Sequence, residues 1–436
     1  MPTCALCWRD VTMKRREQVE SLLKDRDLAP EGRQKIAFAG KNMPVLRAIR
    51  EEWARTQPLK GVRIAGCLHV TTETANLCHA LITGGAELAL CASNPLSTKD
   101  DVAAAIDADF GAQVFAVRDC DRATYYRQVE GALSIAPTLI VDDGADLTTI
   151  IHTRRTDLLP AIVGGTEVTS TGVLRVRNME REGALRYPMF AINDADTKHL
   201  FDNRYGTGQN TIDGILRATN ALLAGSVFVV AGYGWCGRGV AMRARGMGAR
   251  VIVAEVDPIR ALEAVMDGNQ VLPMVEAAPL GDIFVTVTGN RDAITIEHFI
   301  VMKSGAIVCN SGHFDVELDV AALRERATDV QTVRPNVVAY TLPNGTEINV
   351  LAEGRLVGQA CAEAHPASVM DMSFSTQALT ILHLVQEHEK LEPGVYRPPQ
   401  EIDERVARHK LRALGVRHDE LTDAQREYQA AWSVGT

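Results

Sequence analysis

The chain runs to 436 residues, 46% of them hydrophobic and 23% charged, with a formal net charge of −9. That length exceeds one ordinary core, so two or three domains are expected, and the acidic balance argues against nucleic acid as a main partner. No apolar run reaches membrane-spanning length and no signal-peptide core opens the chain, so a cytoplasmic protein with no membrane partner is expected.

Cys4-Ala5-Leu6-Cys7 has the spacing of metal ligands but no second pair nearby, and a frayed terminus is the simpler reading. Residues 10–57 are charged, with apolar residues at helical spacing (Val19, Leu22, Leu23; Leu46, Ile49, Trp53), which predicts helices. Strand and helix patterns then alternate. Strands are predicted at 62–67, 87–91, 113–117 and 138–141, with helices at 72–83, 100–107 and 125–133, a first doubly wound α/β domain. Of the nine cysteines, Cys67, Cys78, Cys91 and Cys309 sit in apolar runs and read as reduced core thiols. Polar clusters close the strands: Gly66-Cys67-Leu68-His69-Val70-Thr71-Thr72-Glu73, Ser93-Asn94, Asp142-Asp143-Gly144-Ala145-Asp146, and Gly165 to Gly172. Ligands bind at such strand ends in open sheets. Further on, Lys198 and Asp202 stand four apart and share a face if helical, although an exposed pair of that kind is worth little.

A second domain is predicted from 209 to about 361. Its strand at 227–231 runs into Gly232, Gly234 and Gly237, then a helix at 240–247, a strand at 250–254, and Glu255. This is the dinucleotide-binding pattern. Gly232 allows the tight turn, Gly234 lets the backbone approach a pyrophosphate, and Gly237 lets helix and strand pack closely. Glu255 would accept from a ribose 2′-hydroxyl, favouring NAD over NADP, a choice that Arg260 softens. Two more strand-then-loop patterns carry Thr288 and Asn310-Ser311-Gly312-His313. A helical return at 366–385 and a charged helical tail at 400–436 follow. The predicted fold is α/β: two doubly wound Rossmann-like domains plus a short helical C-terminal segment.

Together these clusters resemble the S-adenosylhomocysteine hydrolase family. The resemblance rests on Gly66 to His69, Asp142 to Asp146, Thr197-Lys198 with Phe201-Asp202-Asn203, Ala231 to Gly237, Gly312-His313-Phe314-Asp315, Ala352 to Leu356 and His365-Pro366. Trp235-Cys236 and the ending at Thr436 are similar to a short, archaeal-type branch. The resemblance implies a substrate-binding domain (1–193 with 367–397), an NAD-binding domain (209–363) and an oligomerisation segment (398–436). It also implies a dimer or tetramer, an adenine nucleoside substrate, and NAD used as a prosthetic group. In the implied chemistry the ribose 3′-hydroxyl is transiently oxidised, the C4′ proton is removed and the C5′ substituent is eliminated; water adds and the ketone is reduced. Lys198 and Asp202 are expected at the 3′-hydroxyl, His69 and Asp143 as the acid/base pair at C5′, and His313 and Asn203 by the nicotinamide. Thr71, Glu73 and His365 are expected at adenine, with Val168 and Thr169 along the ribose. Thr169, Ser170, Thr171, Asn203, Gly232, Gly234, Gly237, Glu255, Arg260, Thr288, Asn310, Gly312 and His313 are expected at the cofactor. No metal is expected. Hinges are expected near 194–208 and 361–366.

Four positions depart from the family pattern. Val168 replaces a glutamate that binds the ribose 2′-hydroxyl, and Gly358 an asparagine at the nicotinamide carboxamide; Gln359 follows, and Ala364 replaces a glycine. The favoured expectation is one chemistry redirected to another nucleoside, the loss of water from psicofuranosyl adenine (angustmycin C) to give the angustmycin A type of alkene. The alternatives are ordinary S-adenosylhomocysteine hydrolysis and a nucleoside- or NAD-binding module without activity.

Overall fold

The computed structural model describes residues 20–433. The Cys4/Cys7 pair and the expected helical residues 10–19 lie outside that range. Leu22 departs from its helical expectation: it lies in an extended bridge to Phe115, exchanging backbone hydrogen bonds at Val114 and Ala116. Its backbone hydrogen bonds are met at the sheet edge while its side chain stays exposed, so the local helical spacing does not decide its conformation.

Among the described residues fifteen strands form two sheets. β1 (Arg63–Leu68), β2 (Glu87–Ala92), β3 (Gln113–Phe115), β4 (Leu139–Asp142), β5 (Gly164–Glu167) and β6 (Pro188–Ala191) come first. Then follow β7 (Val227–Ala231), β8 (Arg250–Ala254), β9 (Gln270–Val271), β10 (Ile283–Thr286), β11 (Ala306–Asn310), β12 (Asp329–Arg334), β13 (Val337–Thr341) and β14 (Glu347–Leu351). β15 (Gly394–Tyr396) returns to the first sheet, whose order is β15-β6-β5-β4-β1-β2-β3, parallel throughout. The second sheet is ordered β12-β13-β14-β11-β10-β7-β8-β9, with β13 antiparallel to both neighbours. Central strands such as β4 and β7 are buried along their whole length, as their unbroken apolar runs demand of a sheet covered on both faces.

Each sheet reverses its winding once. From β1 the chain moves outward through β2 and β3, then returns to the other side of β1 for β4, β5 and β6. From β7 it moves out through β8 and β9, then returns for β10 and β11. The crevices beyond the carboxyl ends at β1/β4 and β7/β10 are where open sheets bind ligands. His69 and Asp143 follow one pair; the glycine turn and Val287–Gly289 follow the other.

The helix Thr207–Thr219 precedes the second sheet and the helix Ala367–Glu387 leads back to the first, where it packs on the helix Thr72–Thr83 and on β5. The helix Gln400–Ala413, expected in an oligomerisation segment, packs within its own chain. Asp403 accepts hydrogen bonds from the backbone of Asp196 and Thr197, and Lys410 pairs with buried Asp371 at 2.8 Å. The helix Asp423–Ala430 buries no residue. Among the described residues no helix is long and apolar enough to cross a membrane.

Candidate active site

One cleft between the sheets gathers residues from both. His69, Thr71, Glu73, Asp143, Val168, Thr169, Ser170 and Thr171 line it from the first; Val287, Gly289, Gly312 and His313 line it from the second. Lys198, Asp202, Asn203 and His365 come from the connecting segments.

The first-sheet wall is a shelf of strand ends. His69 Nδ1 lies 2.9 Å from Ser93 Oγ and its Nε2 3.4 Å from Asp143 Oδ2. Burial, with smaller contributions from His313 and His365, outweighs the nearby carboxylates and lowers the His69 pKa to about 4. His313 closes the group, with Nδ1 3.8 Å from Asp143 Oδ1 and a buried Nε2 that has no partner. The turn carrying Asp143 allows this approach because residue 144 is glycine: at φ +110° a Cβ there would fall 2.6 Å from His313 Nε2. His69, Asp143 and His313 thus offer three ligand-type atoms within 4.8 Å of one another. Sequence spacing hides this grouping, and the buried histidine–carboxylate contacts account for it without a metal.

Glu167 organises this shelf, and the sequence reading gave it no role. Its fully buried carboxylate accepts from the backbone N–H groups of Gly144, Ala145 and Thr169. Burial, then Asp142 and Asp143, push its pKa well up. Gly172 makes room for it, since a Cβ there would lie 2.1 Å from the Glu167 carboxyl carbon. Glu73, only 6% exposed, accepts from Thr72 through Oε1, while its buried Oε2 has no partner. Thr71 caps the same helix. Val168 presents an apolar side chain at the position where the family pattern has an acid.

Lys198 and Asp202 are buried, their side chains 7% and 5% exposed, with Nζ 3.5 Å from Oδ2. The surface-pair reading therefore does not hold. Residues His199–Gly206 wind as a π-type helix, so Asn203, five positions on, also faces Lys198: Nζ donates to Asn203 Oδ1 at 2.6 Å. Burial alone would raise the Asp202 pKa. Lys198, His365 and the Ser373 hydroxyl together outweigh it and hold the carboxyl below its usual range. His365, expected at adenine, lines the cleft and also meets Asp202. Its Nδ1 lies 2.8 Å from Asp202 Oδ1 and its Nε2 3.4 Å from Thr207 Oγ1, so both ring nitrogens face these side chains. Gly206 permits that seat, because a Cβ there would be 2.7 Å from Nδ1.

The glycine turn fits a dinucleotide. Gly232 has φ +100°, and a Cβ at Gly237 would lie 2.0 Å from the Gly232 carbonyl oxygen. A Cβ at Gly234 would meet nothing nearer than Arg260 Nη1 at 3.8 Å, which leaves the approach to the backbone open. The helix Trp235–Gly246 starts at once, five residues before the apolar pattern predicts, so its free N–H groups face that space. Glu255 accepts from the backbone of Tyr233, Val256 and Asp257, fixing the turn, and its carboxylate retains lone pairs for a ribose hydroxyl. Two residues expected at the cofactor are also tied into their own loops. The Thr288 hydroxyl donates to buried Glu317, which also accepts from the N–H groups of Thr288 and Gly289. Asn310 is fully buried beneath its loop, accepting from Thr286 and Gly312 and donating to the carbonyls of Gly312 and Phe314. Both help to shape the loop that carries Gly312 and His313.

Known proteins are similar to this chain in sequence. Residues 203–364 match the family model described as "S-adenosyl-L-homocysteine hydrolase, NAD binding domain", and residues 20–158 match "S-adenosyl-L-homocysteine hydrolase". The chain is 60% identical over 414 residues to the adenosylhomocysteinase of Aquifex aeolicus, covering 95% of this chain and 99% of that one. Identity is 55% to the adenosylhomocysteinase of Gloeothece citriformis over 97% of this chain and 99% of that one. It is 55% again to that of Saccharolobus solfataricus, over 95% and 99%.

Proposed function

The chain belongs to the S-adenosyl-L-homocysteine hydrolase family, and from that premise we propose that it splits S-adenosyl-L-homocysteine into adenosine and homocysteine, with NAD held on its second sheet. When bound, NAD supplies the transient oxidation at the ribose 3′ carbon that makes the C4′ proton removable. The protein's own residues do the rest. Asp202, kept ionised, accepts the 3′-hydroxyl proton, and Lys198 supports the oxygen as its charge grows. Glu73 offers its unpartnered Oε2 to the adenine 6-amino group, a match that a carbonyl at that ring position would lose. His69, held neutral by burial, takes up the proton released at C4′ and, as an imidazolium with Asp143 against it, passes it to the departing C5′ group. His313 lines the cleft beside Asp143, within reach of the oxidised edge of the sugar.

The observation that carries this reading is the Lys198–Asp202 pair. Burying two charges is costly, and here they are sunk in a cleft rather than left in water. The names of the relatives favour hydrolysis over the dehydration expected from the departures. Val168 is the one observation on the other side: an apolar, buried residue on the cleft wall that leaves a ribose hydroxyl without a charged partner. One experiment separates the readings. The protein, loaded with NAD, is incubated with S-adenosyl-L-homocysteine and, separately, with psicofuranosyl adenine. Free thiol from the first and no mass change in the second is the expected result. Loss of one water from the second without thiol from the first overturns hydrolysis, and no product from either leaves a binding module. The reading includes a homo-oligomer, with the exposed helix Asp423–Ala430 available to a second copy, and a cytoplasmic location.

A further inference from the structure

Asn210 stands one residue from a hydrogen bond that ties the connecting helix to the His313 loop, Thr211 Oγ1 to Ser311 Oγ at 2.5 Å. It is only 2% exposed, and neither its Oδ1 nor its Nδ2 has a hydrogen-bond partner. A buried amide with both ends unfilled costs free energy, and such groups are rare enough in folded proteins to call for an explanation. Its side chain faces Gly358: a Cβ there would fall 2.5 Å from Asn210 Cγ and Oδ1 and 2.7 Å from Nδ2. The glycine makes space for this amide, and any larger residue at 358 would displace it.

The helix that carries Asn210 is fixed on two sides by similarly close contacts. A Cβ at Gly208 would lie 2.6 Å from the Gly239 backbone, in the helix that begins at the glycine turn. A Cβ at Gly214 would lie 2.8 Å from the Val357 carbonyl oxygen. Asn210 therefore sits where the dinucleotide helix, the His313 loop and the 357–360 turn converge. Thr207, Ser311 and Gln359, its neighbours on those elements, all line the cleft.

We propose that Asn210 is a cofactor-binding residue that takes the carboxamide of the nicotinamide, its Nδ2 donating to the ligand carbonyl and its Oδ1 accepting from the ligand NH2. A primary amide is the chemical complement of a primary amide: each supplies one acceptor and one donor group. The unfilled pair in the free protein is then filled by the ligand, and the burial cost is recovered on binding. The proposal rests on NAD as the cofactor, and the test keeps the two apart.

Apoprotein of the wild type and of Asn210→Leu, which keeps the branched four-heavy-atom side chain without the amide, is titrated calorimetrically with NAD and with the 3-acetylpyridine analogue. The analogue keeps the carbonyl and lacks the NH2. The wild type is expected to prefer NAD, Asn210→Leu to bind NAD about tenfold or more weakly, and the preference to disappear in the variant. The melting temperature of the apo variant is expected to stay level or rise, since an unpaired buried amide has been removed. Equal NAD affinity in variant and wild type overturns the proposal. So does a variant that melts lower and loses both ligands by the same factor, the mark of a packing residue. A wild type that takes up no NAD removes the premise and the proposal together.

Discussion

The two halves of the cleft solve one problem with the same device. On each sheet a buried glutamate holds the loop that presents the functional groups. Glu167 accepts from Gly144, Ala145 and Thr169 beneath Asp143; Glu317 accepts from Thr288 and Gly289 beside His313. A glycine makes room in each case, Gly172 for Glu167 and Gly312 for Glu317, where Cβ atoms would come within 2.1 and 1.8 Å of the glutamates. The surroundings differ. Asp142 and Asp143 crowd Glu167, whereas uncharged threonine and backbone groups surround Glu317. The first half concentrates charge around its glutamate, and the second does not.

Removing each glutamate breaks the comparison most sharply. Glu167→Ala leaves the buried N–H groups of Gly144 and Ala145 without an acceptor, and Glu317→Ala the part-buried ones of Thr288 and Gly289, at about 2–4 kcal/mol of stability in denaturant titrations. The losses of function should separate. Glu317→Ala is expected to release NAD from the folded protein. Glu167→Ala is expected to retain NAD while turnover falls at least a hundredfold. Both variants losing NAD equally would show that the halves do not work as distinct units.

The crowding of the first half predicts two opposed pH slopes. Burial is the main cause that raises Asp142 to about 7, against its ordinary 3.8, and the Thr148 and Leu147 amides only partly offset it. A raised carboxyl contributes stability that is complete below pH 3.8 and lost as pH climbs through 7. His69 has the opposite sign: lowered to about 4 from 6.5, it contributes stability that is lost as pH falls from 6.5 toward 4. Between pH 4 and 6.5 the two slopes, each at most about 1.4 kcal/mol per pH unit, largely cancel. Asp142→Asn should unmask a stability that rises with pH across that window, and His69→Gln one that falls. Denaturation midpoints at several pH values check both signs; parallel curves for the two variants would refute the assignment.

Much of this was legible before any coordinates. Unbroken apolar runs marked the central strands, and the glycine spacing marked the dinucleotide turn, because both signals are local. The polar clusters marked the strand ends but not which way each side chain turns. Thr288 and Asn310 face their own loops because Glu317, Gly312 and Phe314 meet their hydrogen-bonding needs first. Buried acids such as Glu167 look like surface acids in a sequence. Lys198 and Asp202 had a visible spacing, but their burial depends on Ser373 and His365, more than 160 positions further along.

A smaller effect probes the support of that pair. Asp403, on the helix Gln400–Ala413, accepts from the backbone of Asp196 and Thr197 and from the Thr197 hydroxyl, so it fixes the start of the segment that carries Lys198. Asp403→Asn keeps the size and loses the charge. It is expected to lower kcat about tenfold with KM little changed, as loosened positioning costs the transition state more than substrate binding. A rise in KM with unchanged kcat would place the effect in substrate binding instead.

The smallest predicted effect concerns the return crossing. Ala364 has φ +75°, in the left-handed region where an L side chain costs about 1 kcal/mol or more and glycine does not. It precedes His365, whose ring rests on Asp202, so the strained residue aims a group that keeps that carboxylate charged. Ala364→Gly should relieve the strain and stabilise the folded protein by up to about 1 kcal/mol, less whatever glycine adds to the freedom of the unfolded chain. If the strain serves to hold His365 against Asp202, the same change should loosen that contact, and the acid limb of the activity profile should shift upward as Asp202 loses the hydrogen bond that helps to keep it ionised. A gain in stability with an unmoved acid limb would show that His365 is held by Thr207 and the space at Gly206 alone, and that the backbone strain has no part in setting the charge of the site.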